Sequence, residues 1–195
     1  MKELIDGLLL GDGSLDKRAK NARYRHSCKH KEYIEHVIKE LSKFGVITET
    51  IYDKDNGYGT GRVYQCYSKV TDELTVHYNR WYKDKKKIVP ADLELTPLVL
   101  LHWYIGDGGL DVAKGYLRQL RFAAHSFSFE EREFIKQKMC KYGLKVNNGK
   151  SGIISISKNS IPLFLSIVKE CPVDCYQYKF DTSIYKEHQP KYKAG

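Results

Sequence analysis

The sequence predicts an α+β protein built twice from the same parts, each half running helix, hairpin, helix, hairpin, helix. Three observations predict it. An apolar stretch stops at Gly-Asp-Gly twice, in GLLLGDGSL (residues 7–15) and in WYIGDGGL (103–110). Each copy leads into a basic, β-prone segment and then an amphipathic helical pattern closing on a glycine, Gly45 in one half and Gly143 in the other. Each half then passes through a second β-rich stretch and a Ser-Lys pair, Ser68-Lys69 or Ser157-Lys158, into a last helix. Repetition of a whole order of parts fixes architecture before any single motif does.

Taken in order, ELIDGLLL has no strict alternation and reads as a buried helix. Gly7 and Gly11 stand four apart on one face, where missing side chains let another helix come close. ARYRHSCKH alternates as a strand, and KEYIEHVIKELSKFG places Ile34, Val37, Ile38 and Leu41 at i, i+3, i+4 and i+7. This helix is an outer cover, with His36 expected at its surface. TETIYDKDNGYGTGRVYQCYSK gives two β-rich runs around a Gly-rich turn, and VTDELTVHYNRWY a closing helix. In the second half, LVLLHWYI is apolar nearly all round, with Pro97 suited to its first turn. YLRQLRFAAHS supplies a strand, Ser128 and Glu131 form a capping box, and LKVNNGKSGIISISK a tight hairpin around Asn147-Asn148-Gly149. NSIPLFLSIVKE is the last helix. The expected division is an N-terminal half at 1–85, a connecting segment at 86–97 and a C-terminal half at 98–195.

The 195 residues suffice for one good core or two small ones, and 42% are hydrophobic, so the chain should fold. Lys and Arg number 33 against 24 Asp and Glu, a net charge of +9 and a pI near 9.2, which favours a polyanionic partner or an anionic membrane surface. No stretch approaches the roughly 18 apolar residues a membrane span needs, and MKELIDGLLLGDG lacks the clean apolar run of a signal peptide. Five scattered cysteines, Cys28, Cys66, Cys140, Cys171 and Cys175, point to reduced thiols in a reducing compartment, hence an intracellular, unsecreted protein. Cys171 and Cys175 lack a second pair with zinc spacing.

A single Gly-Asp-Gly is a common helix-ending turn; two in the same frame suggest one device made twice. Helices packed side by side with parallel ends would bring Asp12 and Asp107 together. Helix C-termini already carry partial negative charge, and two carboxylates there repel by a few kcal/mol at an effective dielectric near 20. A cation should therefore sit between them. Carboxylates, backbone carbonyls and water, with no His/Cys cluster at hand, suit Mg²⁺ rather than zinc.

LIDGLLLGDGSL and LHWYIGDGGL resemble the two signature helices of the LAGLIDADG homing endonucleases in their single-chain, two-motif form. KKKIVPADLELTPLVLLHWYIGDGG, SFSFEEREFI and YQYKFD resemble counterparts in members found in mitochondria, so the resemblance covers nearly the whole chain. It implies pseudo-two-fold αββαββα halves, antiparallel sheets forming a saddle on DNA, and paired helices at the interface. It further implies a monomer that cuts both strands of a long, partly asymmetric duplex across the minor groove. Magnesium would be the cofactor, Mn²⁺ a substitute, and Ca²⁺ would bind without supporting cleavage. By position, Asp12 and Asp107 match the metal-binding acids, with the Gly11 and Gly106 carbonyls as further ligands. Lys87 and Lys179 match basic residues near the scissile phosphates. His125 falls where relatives often carry a solvent-orienting glutamine, and its internal counterpart is Ser27. Leu10 and Ile105 replace the first acid of the nominal DADG. Base readout falls to the hairpins, with candidates Arg23, Arg25, Lys29, Arg62, Tyr64, Gln65, Arg118, Gln119, Arg121, Asn147, Asn148 and Lys150. A non-cleaving intron maturase, with intron RNA as partner, or a nucleic-acid-binding regulator is the alternative on the same fold; retention of both acids and both lysines favours the enzyme.

Overall fold

The computed structural model describes residues 1–17, 20–46, 48–55 and 62–185, with no side-chain description for 48–55 and 62. The Gly-rich turn of the first half's second hairpin lies outside the described residues.

The first half runs α1 (Lys2–Leu10), β1 (Ser14–Lys17), β2 (Ala22–Cys28), α2 (Lys31–Ser42), β3 (Thr48–Asp55), β4 (Arg62–Ser68) and α3 (Asp72–Trp81). A two-stranded hairpin follows, β5 (Tyr82–Lys83) with β6 (Lys86–Lys87). The second half runs α4 (Pro97–Asp107), β7 (Gly108–Ala113), β8 (Tyr116–Ala123), α5 (Phe129–Cys140), β9 (Val146–Asn148), β10 (Ile153–Ser157) and α6 (Ile161–Val168), then a 3-10 turn at Asp174–Lys179. Both sheets are antiparallel and share one strand order, β1-β2-β4-β3 and β7-β8-β10-β9. The α+β class and the doubled order of parts are as the sequence predicts.

Several local signals act as read. Pro97 occupies the first turn of α4 behind the Thr96 cap, and Ser128 with Glu131 makes both bonds of the capping box on α5. Gly45 and Gly143 both take the left-handed conformation that ends a helix, at φ of 74° and 78°. The short β5–β6 hairpin is a feature the sequence reading does not contain. Its turn puts Asp84 and Lys85 at φ of 50° and 63°, the geometry that matches strand twist but is usually given to Asn and Gly.

The core is centred on α1 against α4. Leu4, Ile5, Leu8, Leu9, Val99, Leu100, Trp103 and Ile105 are buried there. A methyl group on Gly7 would lie 2.8 Å from the Val99 carbonyl and 3.0 Å from the His102 Cβ, so only glycine admits this approach. Asp6 is also buried in α1, accepting from Trp81 Nε1 at 2.7 Å and from the Arg80 guanidinium, which reaches on to Asp92. His36 is half-buried rather than at the surface: it stacks on His102 of α4 at 6.0 Å, because one edge of α2, which covers the first sheet, reaches that helix. No helix among the described residues is long and apolar enough to cross a membrane.

Candidate active site at the paired helix tips

The tips of α1 and α4 meet main chain to main chain. A methyl group on Gly106 would lie 3.2 Å from the Gly11 Cα and 3.7 Å from Asp12 Oδ2. Asp12, just past α1, and Asp107, the last residue of α4, are therefore neighbours across the seam. Crowding shows in their ionisation. Burial first, and then the negative charge of Asp12, push the Asp107 carboxyl up to about 7, with Lys87 and Lys179 pulling the other way. Burial also raises Asp12, against the pull of Lys179 and Lys87.

Each lysine sits on the carbonyls at the end of its own half's helix. Lys87 Nζ donates to the Leu9 and Gly13 carbonyls at 2.9 and 2.8 Å. Lys179 Nζ donates to Ile105 and Gly108 at 2.6 and 2.7 Å, with the Gly106 carbonyl farther off at 3.5 Å. Helix C-terminal carbonyls attract cations, which is why a buried ammonium is tolerated there. Burial pushes each lysine down to about 8, and the two aspartates oppose that shift. Four of the five residues expected at the site, Asp12, Asp107, Lys87 and Lys179, thus form one cluster.

His125 is exposed and lines a cleft of about 310 Å³ with Asp107, Asp111 and Arg121. Its ring rests on Gly152, where a methyl group would lie 2.8 Å from the ring Cδ2. Its counterpart Ser27 accepts a hydrogen bond from Gln65 Nε2 at 3.3 Å.

The sheets sort the remaining candidates by face. On β2, Ala22, Tyr24 and His26 point to the core, leaving Arg23 and Arg25 on the open side, and Lys29 is exposed beyond the strand. Arg23 pairs with Asp16 at 3.1 Å. Gln65 shares the open face, whereas Tyr64 packs against the core, because strand neighbours face opposite ways. The side chain of Arg62 lies outside the described residues. On β8, Gln119 and Arg121 are on the open side, joined through Asp111 Oδ2 at 3.0 and 2.6 Å. Arg118 is the extra residue of a bulge, since Asp111 pairs with Gln119 but Val112 with Leu117, and it is exposed. Asn147 pairs with Ser155 on the open face, and Lys150 is exposed in the turn. Asn148 faces the helix layer instead: it accepts from Arg132 Nε at 3.0 Å and donates to the Phe129 carbonyl at 3.2 Å. The tight turn, closed by Gly149 N–H to the Ile153 carbonyl at 2.9 Å, begins later than the sequence suggested. Sequence reasoning missed Tyr67, whose ring lies 4.9 Å from the Arg23 guanidinium and 5.7 Å from that of Arg25. The two-residue alternation from Gln65 was the available signal.

The chain is thus a duplicated α+β body that gathers two carboxylates and two lysines at the tips of its paired helices. The chain belongs to the LAGLIDADG DNA endonuclease family, whose model matches residues 2–164. It is 29% identical over 148 residues to an uncharacterized protein of Methanocaldococcus jannaschii, covering 71% of this chain and 55% of that protein's length. It is 28% identical to a cytochrome b mRNA maturase of Debaryomyces hansenii, over 92% of this chain and 72% of the relative. Identity to a probable intron-encoded endonuclease of Wickerhamomyces canadensis is 25%, over 91% of this chain and 82% of the relative. Among solved structures, the homing endonuclease I-WcaI bound to its DNA recognition sequence shares the fold with a TM-score of 0.79 at 24% identity, covering 92% of this chain and 84% of that one.

Proposed function

We propose that this protein is a site-specific DNA endonuclease of the homing type, a monomer that hydrolyses one phosphodiester in each strand of a long duplex target across its minor groove. The convergence of Asp12, Asp107, Lys87 and Lys179 at the helix tips carries this reading. Two crowded carboxylates repel phosphate, so a protein that only bound DNA would gain nothing from them.

The donor set fits a hard cation. Among the described residues no group of three or more His, Cys, Asp and Glu could hold a metal. Beyond Asp12 and Asp107, ligands would be the Gly11 and Gly106 carbonyls, water and substrate phosphate, which suits Mg²⁺. The same proposal has Mn²⁺ substitute and Ca²⁺ bind without cleavage. A fold neighbour, I-DmoI, was solved with its target DNA in the presence of Mg²⁺, at a TM-score of 0.53 and 14% identity. Asp12 and Asp107 would hold such a cation, which would supply Lewis-acid activation of a water at neutral pH and charge neutralisation at the phosphate. Lys87 and Lys179, kept at the tips by carbonyls, face the charge that develops on phosphorus. His125 orients a solvent molecule in the cleft beside Asp107. Arg25, Gln65, Gln119, Arg121 and Asn147 read base edges from the open faces, Arg to guanine and Gln or Asn to adenine, while Lys29, Arg118 and Lys150 contact phosphates. A reducing compartment that houses the target genome is the proposed setting.

Incubation with a random plasmid library and Mg²⁺, followed by sequencing of broken ends, tests the proposal: ends defined at one long sequence are expected. Asp12→Asn and Asp107→Asn should abolish double-strand cleavage while DNA binding survives; near wild-type cutting by both would overturn the assignment. The likeness to a cytochrome b mRNA maturase favours intron RNA as a second partner, and stimulated splicing of a host intron by the cleavage-dead variants would reveal it.

A further inference from the structure

We propose that Glu131 and Glu32 are positioning residues, each holding the lysine-bearing segment of the opposite half so that each strand's cut depends on a carboxylate from across the seam. This rests on the reading of Lys87 and Lys179 as phosphate-facing groups.

Lys87 lies at the end of the β5–β6 hairpin, and two residues on, the Val89 N–H donates to Glu131 Oε1 at 2.8 Å. Glu131 is in the first turn of α5, in the second half, and its Oε2 accepts from the Ser128 N–H at 2.7 Å. Each of its carboxylate oxygens thus accepts one bond, one within its own helix cap and one from the lysine-bearing segment that follows the first half's last helix. The second clasp runs the opposite way. Glu32, in the first turn of α2 in the first half, accepts from the Asp174 and Cys175 N–H groups at 2.8 and 3.1 Å. Those two donors open the 3-10 turn that ends in Lys179. Charge-assisted bonds from main-chain donors are the stronger kind, and the Asp174 N–H holds Glu32 below the usual carboxylate range.

Each lysine therefore has two anchors. Its ammonium rests on its own half's helix tip, and its main chain is tied to a carboxylate of the other half. With the carboxylate gone, the segment keeps its Nζ contacts but loses the tie that fixes its approach. A misplacement of about 1 Å costs on the order of 10²-fold in a positioned reaction. Because each clasp serves one lysine, the loss should fall on one strand. Simple adhesion between halves would instead weaken both strands together.

The test is strand-resolved, single-turnover nicking of an end-labelled target duplex in Mg²⁺ by the full chain, with Lys87→Ala and Lys179→Ala as references. Glu131→Ala should slow the strand that Lys87→Ala slows, by about 10- to 100-fold, and leave the other strand and DNA affinity near wild type. Glu32→Ala should do the same for the Lys179 strand. Glu131→Gln and Glu32→Gln keep one acceptor oxygen but set an amide N–H against the other main-chain donor, so they should show the same strand bias at smaller amplitude than the alanine variants. Glu131→Asp, one methylene short, should reproduce the bias at smaller amplitude even if the alanine variant folds poorly. Equal slowing of both strands, slowing of the wrong strand, or no bias in any Glu131 or Glu32 variant overturns the clasp. If the lysine variants themselves cut normally, the reading of the lysines fails first, and the clasp with it.

Discussion

Asn147 and Asn148 are adjacent in sequence and opposite in use. Asn147 lies on the open face, while Asn148 braces Arg132, a 7% exposed guanidinium, against the strand. Asn148→Ala leaves Arg132 Nε without its acceptor, although the guanidinium still donates to the Phe127 carbonyl, and should destabilise the fold by about 1–3 kcal/mol, read by thermal unfolding, with DNA affinity little changed. Asn147→Ala should do the reverse. No sequence signal separates the two, because the face of a strand residue follows from register, and register here is set by pairing with β10. Tyr64 and Gln65 divide for the same reason. The acids and lysines were legible because each occurs twice in matched surroundings, whereas the buried Asp6 and its partners Arg80 and Trp81 occur in the first half alone and left no repeat to notice. Tyr67 was missed although it joins Arg23 and Arg25 in one layer of rings and guanidinium groups.

The paired helices carry two predictions at the level of elements. Gly7→Ala would drive a methyl group to 2.8 Å from the Val99 carbonyl, and overpacking of this kind costs about 1–3 kcal/mol. Gly109→Ala, with nothing within 4 Å of the added methyl, is the control expected to leave the melting temperature unchanged. The second concerns acid. Burial pushes His102 of α4 down to about 3 and His26 of β2 to about 4, well below the ordinary 6.5. A folded-state pKa below the unfolded one contributes stability that is present above pH 6.5 and lost as pH falls toward the folded value. The histidines' contribution should therefore drop between pH 6.5 and 4 by up to about 1.4 kcal/mol per pH unit each, while Asp107, raised to about 7, works in the opposite sense over the same range. His102→Gln should flatten that slope; an unaltered slope would show that other groups govern acid unfolding. Apolar periodicity and caps made α2, α4 and α5 readable. The β5–β6 hairpin was hidden because its turn uses Asp84 and Lys85 rather than glycine, in a stretch whose lysines resemble a solvated linker.

For the whole molecule, the formal charge of +9 and the two open sheet faces imply association governed by phosphate neutralisation. Specific binding should weaken linearly in a plot of log affinity against log salt, by about 10³- to 10⁵-fold between 50 and 200 mM if six to ten phosphates are contacted. A flat salt response would contradict an extended duplex footprint. The doubled plan was legible from the chain because the two Gly-Asp-Gly copies keep one frame; the cross-seam contacts were not, since no residue in either half names its partner in the other. One contact has a consequence beyond stability. Gly106 meets Gly11 and Asp12 as bare backbone, where a methyl group would lie 3.2 Å from the Gly11 Cα and the Asp12 N, so the separation of the two carboxylates depends on the missing side chain at Gly106. If the chain cuts both strands as proposed, that separation would act as a ruler for the stagger of the breaks, and a different stagger would require a rebuilt joint between the halves.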